Sequence, residues 1–472
     1  MSELIFSKEL KPTPTTIDGL VAYDLPVHGD NRGWFKENWQ REKMTALGLP
    51  DFGPVQNNIS FNTERGVTRG LHAEPWDKYI SIGYGSVFGA WCDLREDSKT
   101  FGEVFTMELD PSKAIYVPRG VANGFQTLED NTVYTYLVND HWSPTAQYSN
   151  VSVSDQSLGI NWPIPLESVI LSEKDKSHPN LEDATPVKPR KILITGANGQ
   201  LGRALQKLYP EADLVDRDTL DISSDEVFTA RRWRDYGLVI NAAAYTAVDA
   251  AETPEGRIES WKANSSAVSK LAKIAIENGL TLVHISSDYV FDGTQAVHTE
   301  EEPFSPLSVY GQSKASGDTV ASTVPNHYIL RTSWVMGQGN NFVKTMKSLA
   351  DKGIKPNVVN DQVGRPTFTE DLAAGIKHLV DVKAEPGTYN LTNDGEPTSW
   401  SDLAKLTYEL NSHSSDEVTG VTTQEYYQGK DNIAPRPLNS TLDLTKIKST
   451  GFEPRDWREA LDEYWQTLKE EN

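Results

Sequence analysis

Tyr310 and Lys314 stand four residues apart in SVYGQSK, a spacing that puts both on one face of a helix. An ammonium beside a phenol favours its ionised form, and such a phenol can give a proton to a carbonyl oxygen as hydride reaches the carbon. Upstream, HISSDYVF reads as a strand ending in the hydroxyl of Ser287, placed to hydrogen-bond the same carbonyl. Earlier still, Gly196-Ala-Asn198-Gly199-Gln200-Leu201-Gly202 falls between the strand-like KILIT and the helical RALQKLY. Glycines there permit a tight turn and close approach of backbone to a pyrophosphate, and the helix start offers free N–H groups. Loop, hydroxyl and Tyr/Lys pair, in that order, describe carbonyl reduction by a nicotinamide dinucleotide. The strand ADLVDRD follows at the distance of a ribose-binding carboxylate. Asp216 would hold a ribose diol and Arg217 a 2′-phosphate, so NADH and NADPH both stay open. Asp221, with Ile222 after it, either approaches the adenine or caps the following turn.

The residues before the glycine loop carry a separate polar set. Arg32 and Glu37 lie in GDNRGWFKE, then come Gln56, Asn58, Arg69-Gly-Leu-His72, Lys78, Tyr136, Lys174 and Asp175. These are the groups that an anionic sugar needs. A neutral histidine backed by a carboxylate is a good base, and a tyrosine on the opposite wall can return the proton to the other face. Proton removal and return next to a ketone invert that carbon through an enolate. His28, His72 and His141 have no close spacing, so no metal centre is expected.

These sites need scaffolds of two kinds. SIGYGSVFGAWCDL, VFTMELD, KAIYVP and TVYTYLVND are β-branched and aromatic, broken by turn residues. With one helix near Trp39–Leu47, residues 1–176 read as an all-β, jelly-roll (cupin-like) domain. KSHPNLEDATPVKPR has three prolines and no apolar period, so residues 177–190 read as a linker. KILIT, LVIN, LTLVHIS and YILRTS alternate with helical stretches such as Arg257–Asn278. Residues 191–472 therefore read as an α/β Rossmann-type doubly wound domain. NVVNDQ, GTYNLTND and helices near Trp400–Asn411 and Asp456–Lys469 are expected to form a small substrate-side lobe.

Composition narrows the partners. A net charge of −22 argues against nucleic acid and anionic membranes. No apolar run approaches the length of a membrane span, and MSELIFSKELKPTPTT lacks the basic and apolar parts of a leader. One cysteine, Cys92, reads as a small buried residue and suits a reducing cytoplasm.

The segments TGANGQLG, NAAAYTAVD, SSDYVF, SVYGQSK, RTSWV, GNNF, NDQVGRPT and RPLNSTL resemble the extended short-chain dehydrogenase/reductases, and within them the dTDP-4-dehydrorhamnose reductases. The resemblance implies Tyr310 as proton donor and Lys314 as its partner on the nicotinamide ribose. It implies Ala243, Ala244 and Tyr245 against the cofactor, and Ser287, Asp288 and Trp334 against the sugar nucleotide. Some members bind magnesium through a glutamate where this chain has Ala204, so no metal is expected there.

GDNRGWFKE, QNN, RGLH, IYVPRGVANGFQTL, LGINWP and ILSEKD resemble the dTDP-4-dehydrorhamnose 3,5-epimerases. That resemblance implies His72 as base, Asp175 behind it and Tyr136 as acid. Around the substrate and its phosphates it implies Arg32, Glu37, Gln56, Asn58, Arg69, Lys78 and Lys174. It also implies a homodimer through the β domain. The chain departs from the pattern at Asn123 (usually His), Glu74 (usually Gln) and Gln147 (usually Glu). The implied function is consecutive: epimerisation of dTDP-4-dehydro-6-deoxy-D-glucose at carbons 3 and 5, then reduction of the 4-ketone. Asn123 leaves two alternatives for the first domain, a single-carbon epimerase and a non-catalytic binding or dimerisation module.

Overall fold

The structure, a computed structural model, describes Phe6 and residues 8–470. Met1–Ile5 and Ser7, part of the segment read for a leader, lie outside the described residues. The chain divides into two compact units, Met1–Pro189 and Arg190–Asn472.

In the first unit the β-branched and aromatic runs form two antiparallel sheets. One has the spatial order Lys11–Pro14, Val21–Asp24, Lys113–Val117, Lys78–Tyr84, Thr132–Val138, Gln56–Asn62. The other runs Ser149–Val151, Thr68–Ala73, Val121–Thr127, Val87–Asp93, Val104–Leu109. Alternate side chains of both meet in one core, with Ile80, Ile82, Ile115 and Val117 against Val87, Trp91, Val121 and Phe125. A short helix, Arg41–Ala46, sets Met44 over the outer face of the first sheet. Cys92 is fully buried under the outer cover of the second sheet, and burial pushes its thiol up to about 12.

The stretch expected to be a linker is packed on this unit. Val187 pairs with the Leu94–Glu96 backbone and is 1% exposed. Leu181 N–H donates to Asp155, Ser149 Oγ–H to Thr185 C=O, and Ser152 N–H to Pro179 C=O. Prolines remove donors from such a run but leave its carbonyls and apolar side chains free to bind.

The second unit is built on six parallel strands in the spatial order Asp213–Val215, Lys191–Thr195, Tyr236–Asn241, Thr281–Ser287, His327–Thr332, Gly387–Asn390. The strand after Lys191–Thr195 lies to one side of it and the next to the other. Chain crossovers thus diverge at its carboxyl end and leave a crevice there. Helices cover both faces: Ala267–Asn278 on one, Gln200–Leu208 and Thr369–Asp381 on the other. The helices Phe342–Asp351, Trp400–Leu410 and Trp457–Glu470, with the short strand pair Asn357–Val359 and Thr419–Val421, form the smaller lobe. Among the described residues no helix is long and apolar enough to cross a membrane.

Candidate active sites

In the second unit the crevice holds two adjoining clefts. Gly196 turns at φ +65°, and a Cβ there would lie 2.7 Å from the Ala243 nitrogen. Only glycine has this freedom, and the turn hands the strand to the helix that starts at Gln200. Gly202 lines neither cleft; its missing Cβ lets the first helical turn rest on the Gly196 carbonyl.

The first cleft, about 310 Å³, is lined by Gly196, Asn198, Gly199, Asp216, Arg217, Asp221, Ile222, Ala243, Ala244 and Tyr245. Asn198 donates to Asp216, whose carboxylate also takes the Thr219 N–H and hydroxyl and so lies below its ordinary pKa. Arg217 pairs loosely with Glu259 at 3.4 Å. Asp221 takes the Ser223 N–H and hydroxyl at 2.9 and 2.5 Å, so it caps its turn while still facing the cleft.

The second cleft, about 600 Å³, is lined by Gln200, Leu201, Ser287, Asp288, Tyr310, Lys314 and Trp334. Gln200 is pinned by the Gly337 N–H at 2.8 Å. Tyr310 and Lys314 share the helix Val309–Ala321, which Ser308 caps. Lys314 is 2% exposed, and its ammonium donates to the Ile285 carbonyl at 2.5 Å. Burial lowers its pKa from 10.5 to about 8, opposed by Asp318. The expected lowering of the Tyr310 phenol by Lys314 does not occur. Burial first, then the Asp288 charge, push the phenol well above 10, and a hydrogen bond with Ser287 only partly opposes them. Burial likewise raises Asp288 to about 6. Trp334 has φ +47° and stacks on Trp400 at 3.7 Å, presenting a flat wall.

Sequence reading missed the residue that ties this site together. Asn264 accepts from the Tyr245 N–H at 2.9 Å, donates to the Tyr245 carbonyl at 3.1 Å, and reaches Ser313 at 3.0 Å. Ser313 in turn donates to the Tyr310 carbonyl. Asn264 sits in a π-helical turn, Lys262–Ser266, which interrupts what the sequence reads as one helix. Ser/Asn content alone gives no periodic signal of that turn.

In the first unit a pocket of about 430 Å³ is lined by Gln56, Asn58, His72, Glu74, Tyr136, Asn150 and Lys174. His72 comes from one sheet and Tyr136 from the other. The His72 side chain is 31% exposed, and its Nε2 lies 2.9 Å from Asp175 Oδ1. The other Asp175 oxygen accepts the Gly70 N–H at 3.2 Å. A Cβ on Gly70 would sit 2.7 Å from that carboxylate, so the glycine of RGLH makes room for it. Burial and then Glu74 raise the Tyr136 phenol, keeping it protonated, while Arg69 opposes.

Lys78 and Asn123 lie outside the pocket lining, both buried. Lys78 pairs with Glu74 and donates to Asn123 Oδ1 at 2.5 Å, while the Asn123 amide reaches Tyr134 at 3.4 Å. The two departures, Glu74 and Asn123, thus share one lysine. Gln147 lies away from the pocket and holds the 186–188 backbone. Arg32 and Glu37 are not brought to the pocket. They lie on and just after the exposed hairpin Val27–Lys36, paired with Asp30 and Lys43.

Two neighbours of His72 were missed. Asn150, cross-strand from His72, places Oδ1 2.7 Å from its Nδ1. His178 packs edge-on to His72, with ring centroids 5.0 Å apart. Burial, then His72 and Lys174, hold His178 below its ordinary pKa despite Asp175. The histidines counted for metal binding stopped short of residue 178; the fold supplies the close spacing that the sequence lacked.

A nucleotide cleft with a Tyr/Lys pair, preceded by a β-rich domain with a His–Asp pair facing a tyrosine, defines a carbonyl reductase fused to an acid–base enzyme. Residues 190–470 match the family model described as RmlD substrate binding domain, and residues 14–183 that of dTDP-4-dehydrorhamnose 3,5-epimerase. An RmlC homolog from Streptococcus pyogenes serotype M6 is 50% identical over 41% of this chain and 100% of its own. The dTDP-4-dehydrorhamnose reductase of Aggregatibacter actinomycetemcomitans is 41% identical over 57% of this chain and 97% of its own. The solved Bacillus anthracis dTDP-4-dehydrorhamnose reductase, in complex with NADP, is 32% identical with a TM-score of 0.54. It covers 59% of this chain and 99% of its own. The chain belongs to the dTDP-4-dehydrorhamnose reductase family through its second domain and to the dTDP-4-dehydrorhamnose 3,5-epimerase family through its first. Epimerase and reductase domains of the dTDP-rhamnose pathway are fused in it.

Proposed function

We propose that the chain performs two consecutive steps on one sugar nucleotide. The first domain, a jelly roll, inverts carbons 3 and 5 of dTDP-4-dehydro-6-deoxy-D-glucose. The second, a Rossmann-type doubly wound domain, reduces the 4-ketone to give dTDP-L-rhamnose. The reading rests on one observation: the His72–Asp175 pair across from Tyr136 and the Tyr310/Lys314 pair beside the glycine loop occur in one chain. Residues 1–189 carry the first site, with 177–189 packed on that domain, and 190–472 carry the second.

In the first site His72 takes the proton beside the ketone, Asp175 holds the resulting imidazolium, and Tyr136 returns a proton to the opposite face. Once His72 is an imidazolium both ring nitrogens donate, Nε2–H to Asp175 and Nδ1–H to the Asn150 oxygen; as the free base it gives up the bond to Asn150 and keeps Nε2–H on Asp175. Gln56, Asn58 and Lys174, which line the pocket, face the sugar and phosphates, while Lys78 and Asn123 support the lining from behind and Arg69 reaches Asn62.

The second site fits a nicotinamide dinucleotide, because Gly196 and Gly199 line the first cleft without side chains beside the start of the helix at Gln200. Asn198, Gly199, Gln200 and Leu201 would hold the pyrophosphate side, Asp216, Arg217, Asp221 and Ile222 the adenosine, and Ala243, Ala244 and Tyr245 the wall. Bound there, NADPH or NADH supplies hydride. Tyr310, kept protonated by burial, gives its proton to the ketone oxygen that Ser287 hydrogen-bonds. Lys314 orders the nicotinamide ribose, and Asp288 and Trp334 the sugar nucleotide.

A homodimer through the β domain accounts for Arg32 and Glu37, which a second copy would use. The edge strand Gln56–Asn62 leaves Ile59 69% and Phe61 57% exposed, an apolar edge that calls for cover. We place the enzyme in the cytoplasm, on its single buried thiol.

Purified chain given dTDP-4-dehydro-6-deoxyglucose and NADPH, then NADH, should lose nicotinamide absorbance and form dTDP-rhamnose. No oxidation with either cofactor would refute the reading. The buried Asn123, which carries no proton near neutrality, favours a second reading with one carbon inverted. Proton NMR in deuterium oxide separates the two by counting the carbons that exchange.

A further inference from the structure

We propose that His72, Asp175 and His178 form a three-ligand site for a divalent transition metal of the zinc class. Asp175 Oδ1 lies 2.9 Å from His72 Nε2 and 3.7 Å from His178 Nε2. The ligand atoms of all three residues fall within 4.8 Å of one another. Tetrahedral zinc with bonds of about 2.1 Å needs its ligand atoms about 3.4 Å apart; the two Asp175 distances bracket that value, and the two histidines close the triangle within 4.8 Å.

A second observation points the same way. The His178 side chain is 5% exposed, yet neither ring nitrogen has a hydrogen-bond partner. A buried imidazole without a partner calls for an explanation, and a ligand aimed at an ion is one. The surroundings also orient the set. With the Asn150 oxygen accepting Nδ1–H, His72 turns the lone pair of Nε2 toward Asp175. The Gly70 N–H fixes the second carboxylate oxygen. Two imidazoles and one carboxylate suit zinc, cobalt or nickel and not calcium or magnesium. Lys174 lines the same pocket and opposes a cation, which a net charge of one positive unit at the filled site limits.

The site goes beyond the proposed epimerisation and competes with it. A metal on Nε2 removes the bond to Asp175 on which the base depends, so the filled site blocks proton abstraction and leaves ketone reduction untouched.

The test uses full-length chain stripped with chelator, dialysed against zinc, desalted and assayed for metal. One zinc per chain is expected, and His178→Gln should retain less than a tenth of it. No retained zinc in the parent, or equal zinc in a folded His178→Gln, overturns the proposal. If that variant does not fold, the zinc absorption-edge spectrum of the parent decides. Two imidazoles with one carboxylate support the site; sulfur or all-oxygen ligation overturns it. Deuterium exchange by metal-free chain tests the epimerase reading separately. Zinc bound without exchange sinks that reading alone, and exchange without zinc binding sinks the metal site alone.

Discussion

Replacing Lys314 by methionine should make the second domain more stable at neutral pH and inactive as a reductase. The ammonium is 2% exposed, has one carbonyl partner, and has its pKa lowered from 10.5 to about 8 by burial. A tenfold shift in a protonation equilibrium is about 1.4 kcal/mol, so holding this amine charged costs the folded state about 3 kcal/mol. The sign follows from proton counts. Between pH 8 and 10.5 the unfolded chain keeps the proton and the folded chain has lost it, so parent stability rises with pH. The variant has no such group. Its advantage over the parent should therefore shrink by about 2 kcal/mol between pH 7 and pH 9.5, with other titrations cancelling in the difference. Denaturant titration read by pulse proteolysis distinguishes the two domains by the fragments they leave. A stability difference that does not change with pH would refute the argument that a buried charge is being carried for function.

Other perturbations address the rest of the chain. Tyr310→Phe should slow ketone reduction roughly 10²–10⁴-fold, followed at the nicotinamide absorbance, while deuterium exchange at the first site continues. Loss of both would mean that the domains do not act independently. Gly202→Ala drives a methyl into the Gly196 carbonyl and should cost the second domain about 1–3 kcal/mol; an unchanged melting transition contradicts the close approach. Gly70→Ala should push Asp175 off His72 and depress sugar deuterium exchange at least tenfold, roughly a 1.4 kcal/mol effect, with the fold intact by circular dichroism. Ile59→Asp should convert a dimer to monomer by light scattering; a dimer that survives points to another interface.

What the sequence disclosed was local. Gly196–Gly202 and Tyr310/Lys314 are each set by one turn or one helix, so spacing alone located them. The strands were legible because side chains alternate, and the six parallel strands because helices separate them. What it hid was long-range. Asn150 meets His72 through strand pairing, His178 meets it across a loop, and the docking of Val187 depends on a surface formed 90 residues earlier. Asp175 and Tyr136 came from the family resemblance, and the fold then brought both to His72. The Tyr310 phenol moved opposite to expectation because burial, which spacing does not report, outweighs a neighbour's charge.

The π turn at Lys262–Ser266 has a consequence for how this region tolerates change. A π turn holds one residue more than an α turn. The helical segments on its two sides are therefore out of phase, Pro254–Trp261 before it and Ala267–Asn278 after it. Deleting any one residue of the five would restore a continuous α-helix and rotate one segment against the other by about 100°. Asn264 would then swing away from Tyr245, and the wall of the first cleft would lose its link to the helix of Tyr310. Substitutions at the exposed positions of that turn should pass, whereas a change of length by one should not. The geometry of these two clefts is thus encoded partly as a count of residues, a quantity that no single side chain carries.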